Sequence, residues 1–77
     1  MEIKVLGTGC PKCKSLEEAT KKAVAELNLD VTVEKVEDIM KIMEFGVAST
    51  PALVVDNKVV VNGRVPSVYE IKQFLTN

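Results

Sequence analysis

Apolar positions at Ile3, Val5 and Leu6 open the chain, and residues 2–6 read as a first strand. The period then changes. Over residues 11–27, Leu16, Ala19, Ala23, Val24 and Leu27 fall on one stripe of a helix. The opposite face sets Glu17 four before Lys21 and Glu18 four before Lys22, the favourable order for ion pairs on a solvated surface. Asn28 and Asp30 punctuate the end, and the β-branched residues of 31–35 read as a second strand. A short helix follows at about 37–45, with Glu37 and Asp38 at its start and Gly46 just past its end. Met40 and Met43, beside Ile39 and Ile42, read as core filler there. After the loop Val47-Ala48-Ser49-Thr50 and Pro51, the run Ala52-Leu53-Val54-Val55 reads as a third strand. Asp56-Asn57 is a two-residue turn into Val59-Val60-Val61, which closes a hairpin. Asn62-Gly63-Arg64 turns again, and Ser67 with Glu70 forms a capping box for a last helix at about 67–76. Tyr69 reads as a packing residue in that helix.

The order βαβαββα predicts an α/β fold: a four-stranded mixed sheet with three flanking helices on its two faces. Strands joined by a helix are expected parallel with right-handed crossovers, and the closing hairpin antiparallel. Val59-Val60-Val61 is apolar on both faces and is expected at a sheet edge, as a pairing surface unless helices cover it.

Composition narrows the function. Seventy-seven residues with 47% hydrophobic content predict a single domain over 1–77, near the lower limit for a self-sufficient core. No apolar run is long enough to span a bilayer. Ten basic and eleven acidic residues leave a net charge of −1, which gives no electrostatic case for nucleic acid or an anionic membrane as partner. Met1-Glu2-Ile3-Lys4-Val5-Leu6 lacks the pattern of a signal peptide, so a cytoplasmic location is expected. With no histidine in the chain, Cys–His catalysis and imidazole metal sites are excluded.

The chemistry rests on Cys10-Pro11-Lys12-Cys13, which holds both cysteines. Pro11 suits the first helical position, where φ is fixed near the helical value and no N–H is needed. Cys10 is then the N-cap and Cys13 the third helical residue. A sulfur at the cap faces the free N–H groups of the first turn and the positive end of the helix dipole. Those conditions favour thiolate, the reactive form, and Lys12 and Lys14 add positive charge. A redox pair is one reading. A structural staple is another, but a loop this short contributes only about 2 kcal/mol. Metal binding and inert buried thiols remain open at this point.

A C-x-x-C between strand one and helix one, Thr50-Pro51 opening strand three, and the βαβαββα order together resemble the thioredoxin–glutaredoxin superfamily in its minimal form. The closest likeness is to small prokaryotic thioredoxin-like redox-active disulfide proteins. The resemblance implies a thiol–disulfide oxidoreductase acting on protein disulfides, with Cys10 as nucleophile, Cys13 as resolving thiol, and Pro11 and Lys12 tuning the pair. It implies a cis Pro51, with Thr50 offering its backbone to an extended substrate peptide and Gly63 beside it. No bound cofactor beyond the disulfide is expected; the implied partners are protein disulfides and a separate disulfide reductase, with the chain a monomer. The departures are specific. Gly9 stands where thioredoxins carry tryptophan, and Lys4 where they bury an acid, so Lys12, Lys4 and solvent are left to handle protons. Arg64 follows Gly63 where the glutathione site of glutaredoxins expects a second glycine and an acid; contact with substrate is one reading of this arginine, and an exposed turn residue without a role is the other.

The rival from another class is a copper(I)-binding module or metallochaperone using the same two cysteines. Heavy-metal-associated domains also place C-x-x-C between strand one and helix one. They carry methionine where this chain has Thr8, and they end in a strand, whereas this chain ends in a capped helix. A tetrahedral zinc site would need two ligands from another chain, while two-thiolate copper(I) is feasible.

Overall fold

The computed structural model describes residues 1–76. The elements are β1 (Ile3–Leu6), α1 (Pro11–Glu26), β2 (Val33–Val36), α2 (Ile39–Glu44), β3 (Ala52–Val55), β4 (Lys58–Asn62) and α3 (Val68–Thr76). The expected βαβαββα order holds. The boundaries move most at β2, where Val31 and Thr32 precede the paired segment, and at α2. There Asp38 caps the helix instead of joining it: its carboxylate accepts the Met40 N–H at 2.9 Å. The capping box of α3 is formed in both directions. Ser67 Oγ accepts the Glu70 N–H at 3.1 Å, and Glu70 accepts the Ser67 N–H at 3.3 Å.

One mixed sheet runs in the order β2-β1-β3-β4. β1 and β2 are parallel, with Ile3 opposite Val33 and Leu6 opposite Val36. The 16 residues of α1 span about 24 Å, ample to carry the chain back along four-residue strands. The expectation that β3 would also run parallel is overturned. β3 is antiparallel to β1, with Leu6 opposite Ala52. Val36 and Ala52 both sit at the Leu6 end, so the connection through α2 leaves and re-enters the sheet on one side. The six residues of α2 extend only about 9 Å; the helix lies across that end and does not traverse the sheet.

Asp56 and Asn57 both adopt left-handed backbone, φ 51° and 66°, as a two-residue hairpin turn of the primed kind requires. The turn also fastens the start of the chain. Asp56 accepts the Glu2 N–H and donates its own N–H to the Glu2 carbonyl, both at 2.8 Å. β4 is an edge strand, and its register slips between Leu53 and Val54, so that Leu53 faces Val61 while Val54 faces Val59. The extra residue is Val60. This bulge lets Val60 and Val61 both pack on the α1–α3 side while Val59 packs on the other. Helices thus cover much of the apolar surface that the three valines carry.

Each face has its own core. Ile3, Val5, Leu53 and Val61 pack under Leu16, Ala23 and Val24 of α1 and Ile71 and Leu75 of α3. Leu6, Val36, Ala52 and Val54 pack under Ile42 of α2, with Phe45 and Val47 alongside. Thr20 lies fully buried in α1, an inward polar residue the apolar stripe did not include; its hydroxyl donates to the Leu16 carbonyl at 2.7 Å. Of the two expected surface pairs on α1, Glu17 meets Lys21 at 3.3 Å and also Lys35 of β2 at 3.9 Å. No helix among the described residues is long and apolar enough to cross a membrane.

Candidate active site

Strand register gathers the site at one end of the sheet. Val36, Leu6, Ala52 and Asn62 form one row across all four strands. One residue further out lie Gly7, Pro51 and Gly63. The Gly7 N–H donates to the Val36 carbonyl at 3.0 Å, and the Gly63 N–H donates to the Pro51 carbonyl at 2.8 Å. The loops that bear chemistry are therefore tied to the ladder where they leave it.

From Gly7 the chain turns through Thr8 and Gly9 to Cys10, whose backbone is extended (φ −69°, ψ 163°) and caps α1. Pro11 occupies the first turn, as its fixed φ favours. The Cys10 Sγ accepts the Cys13 N–H at 3.2 Å, so a sulfur takes the place usually held by a serine or aspartate oxygen. Cys10 and Cys13 are joined as a disulfide with their Cα atoms 5.0 Å apart. Their surroundings differ. Cys10 is half-buried and reaches the surface, whereas Cys13 is 2% exposed beneath the helix. Pro11, Lys12 and Lys14 are exposed around the pair, and the first turn of α1 holds no acid.

Thr50 is exposed and Pro51 is buried, and the bond between them is cis. Gly63 has φ 77°, and a side chain there would bring its Cβ to 2.8 Å from Ser49 Oγ. The left-handed backbone is what calls for glycine here, since the Ser49 hydroxyl ends an exposed side chain that can turn aside. Thr8 shares a shallow groove of about 290 Å³ with Ile39, Met43, Val47, Ala48 and Thr50. The structure thus brings the cysteine loop and the Thr50–Pro51 loop to one rim.

That rim includes residues the sequence reading placed inside. Ile39 and Met43, which line the groove, are 58% and 64% exposed, Met40 of the same helix is 70% exposed, and only Ile42 of α2 is buried. The reading as core filler was wrong because a helix of six residues lying across a sheet end presents little of its surface inward. The signal lay in α2 itself: four apolar residues in a helix too short to bury them all. Tyr69, expected as a packing residue, is 71% exposed.

The two other basic candidates are committed elsewhere. Lys4 points to the α2 side of the sheet, with Nζ 5.4 Å from the Phe45 ring centroid and 3.9 Å from Glu34. Strand alternation puts Gly7, and Cys13 above it, on the α1 side, opposite the side to which Lys4 points. Arg64 forms a forked pair with Glu70, at 3.4 and 3.1 Å, on the capping box of α3. Arg64, then the Ser67 N–H, holds the Glu70 carboxyl below its ordinary value. Arg64 serves the helix.

Among the described residues no three histidine, cysteine, aspartate or glutamate side chains converge as a metal site. Cys10 and Cys13 alone would offer a metal two sulfurs.

Residues 1–76 match a family model described as a thioredoxin domain. The chain is 41% identical over 76 residues to a thioredoxin of Methanothermobacter thermautotrophicus, covering 99% of both proteins. It is 47% identical over 73 residues to a thioredoxin of Methanocaldococcus jannaschii, covering 95% of this chain and 84% of that one.

Proposed function

Since this chain belongs to the thioredoxin domain family, we propose that its thiol–disulfide oxidoreductase chemistry reduces protein disulfides by attack from Cys10 and resolution by Cys13. The difference in exposure between the two sulfurs carries this reading. Cys10 is open to a partner and sits where the first-turn N–H groups stabilise a thiolate, while Cys13, 2% exposed, has only Cys10 within its reach.

The exchange proceeds in two steps. The Cys10 thiolate attacks one sulfur of a target disulfide, and the other leaves as a thiolate that takes up a proton. Cys13 then loses its proton and attacks the Cys10 sulfur. The target's first sulfur departs as a thiolate, and the chain is left with the Cys10–Cys13 disulfide. Two electrons have moved to the target, and a separate disulfide reductase restores them. Pro11 holds the helix start in place, and exposed Lys12 adds positive charge beside the Cys10 thiolate. Thr50, ahead of Pro51, offers main-chain groups to an extended segment of the target, and Gly63 keeps the neighbouring surface low. Ile39, Met43 and Ala48 extend that surface with apolar contacts. The reading is of a cytoplasmic monomer, one domain over its length, needing no bound cofactor.

The test is a Cys13→Ser variant incubated, reduced, with a defined peptide disulfide. A stable mixed disulfide on Cys10, seen by mass and absent in Cys10→Ser, is expected. If Cys13→Ser collects no adduct while the wild type turns the same peptide over, the assignment of the two sulfurs is wrong.

A further inference from the structure

We infer that Gly7 is a positioning residue for the redox pair, which holds Cys13 at the depth the disulfide requires. This inference rests on the reading of Cys10–Cys13 as a reversible couple. Gly7 is buried one residue beyond β1, on the α1 side of the sheet, directly beneath the sulfur of Cys13. A Cβ built on Gly7 would overlap Cys13 Sγ and would stand 3.0 Å from Cys13 Cβ. The residues with left-handed backbone include Gly9, Gly46 and Gly63 but not Gly7. Backbone conformation therefore does not demand glycine here; the sulfur does. The position cannot drift to make room either, because the Gly7 N–H is tied to the Val36 carbonyl at 3.0 Å, and Cys13 is fixed in the first turn of α1 by the cap.

The constraint bears unequally on the two redox states. In the disulfide, Cys13 Sγ is bonded to a Cys10 sulfur that is itself held at the cap, so it has one place to be. Once reduced, Cys13 is free to turn about χ1 to another staggered position. A methyl group at position 7 thus penalises the oxidised form more than the reduced form, and Gly7 keeps the couple more reducing than it would otherwise be. A more oxidising couple is also a weaker reductant toward the targets proposed above.

The experiment equilibrates wild type and Gly7→Ala with dithiothreitol redox buffers and counts free thiols by alkylation and mass. Dithiothreitol supplies two electrons and two protons as it closes to its cyclic disulfide, and the Cys10–Cys13 bond opens to two thiols. A reversible wild-type titration tests the underlying reading, and if it fails, that reading fails first. Given reversibility, Gly7→Ala is expected to shift the equilibrium constant about tenfold toward the dithiol, which is about 30 mV for a two-electron couple. A shift of less than twofold, or one toward the disulfide, overturns the inference. A second comparison holds even where Gly7→Ala folds poorly. In a Cys13→Ala background the sulfur is gone, so Gly7→Ala should lower the melting temperature by less than half of what it does in the oxidised wild type. An equal loss in both backgrounds would mean that something other than the sulfur requires glycine, and would likewise overturn it.

Discussion

Cys10 has two tasks in this structure, and substitution separates them. As N-cap of α1 it accepts the Cys13 N–H, and under the proposed function it is the attacking thiol. Serine keeps an acceptor at the cap and removes the thiol, whereas alanine removes both. All forms must be compared reduced, because closing the Cys10–Cys13 loop by itself contributes about 2 kcal/mol on the chain-entropy model. In the reduced state the cap alone should separate Cys10→Ala from Cys10→Ser by about 1 kcal/mol. For 77 residues, an unfolding entropy of about 2.1 cal/mol/K per residue turns that into a difference of about 6 °C in melting temperature. On the same scale, oxidised wild type should melt about 12 °C above reduced wild type. Thermal unfolding followed by circular dichroism with excess reductant measures the first gap, and omitting the reductant measures the second. Both variants should be inert toward a peptide disulfide. If Cys10→Ser and Cys10→Ala melt within 1 °C of each other, the position does not cap the helix. The account of thiolate stabilisation by the same N–H groups would then lose its footing.

Further outcomes follow from other parts of the molecule. Met43→Asp should raise KM for a peptide disulfide with apolar flanks severalfold and leave the reduction of a small symmetric disulfide unchanged, as steady-state kinetics on both substrates will show. Ile71→Ala removes a fully buried side chain from the contact of α3 with the sheet and should cost about 2–5 kcal/mol in urea unfolding. In acid, Glu70 and Glu26 both have carboxyls held below their ordinary value, chiefly by Arg64 and by Lys72 respectively. Their contribution is present above the unfolded carboxyl pKa and is lost as pH falls through the lower folded value. Glu70→Gln should therefore show a smaller drop in melting temperature between pH 5 and pH 3 than wild type, a modest effect because Glu70 is solvent-exposed.

Most of the architecture could be read from local signals, each backed by a physical requirement. The stripe of α1, the Asp56-Asn57 turn and the Ser67–Glu70 capping box state their own geometry within four or fewer intervening residues. The direction of β3 does not. It depends on where α2 leaves the chain relative to Leu6, and that follows from a helix too short to cross the sheet, which spacing alone did not reveal. The same short helix explains why Met40 and Met43 were misplaced: apolar character reports a preference for burial, not whether a partner surface exists. Among the residues of the proposed site, Cys10, Pro11 and Cys13 stand out by spacing, and Pro51 and Gly63 through the family likeness. Gly7 carried no such mark. A glycine in a loop ahead of a cysteine reads as a flexible link, and only the placement of Cys13 above it shows that the missing side chain is occupied space. Lys4 and Arg64 illustrate the converse. Each has a partner, Glu34 with the Phe45 ring and Glu70, that sequence distance conceals.

The position of the pair suits the proposed chemistry, because the disulfide lies where the strands end and the loops begin. Three of the four strands contribute to the row just beyond their ends: Gly7 from β1, Pro51 from the start of β3 and Gly63 from the end of β4. Each is bound to the ladder by a backbone hydrogen bond at its own N–H or carbonyl. Under the proposed function, a target segment approaching Cys10 meets backbone already fixed by the sheet, and little ordering remains to oppose its binding. The same logic restricts Cys13. Buried between Gly7 and the rest of α1, it is shielded from solvent, which suits the resolving role proposed for it. Under the proposed function, the division of labour between two identical side chains follows from depth and from the cap: one sulfur lies at the helix cap, beside first-turn N–H groups, and one lies buried under the first turn.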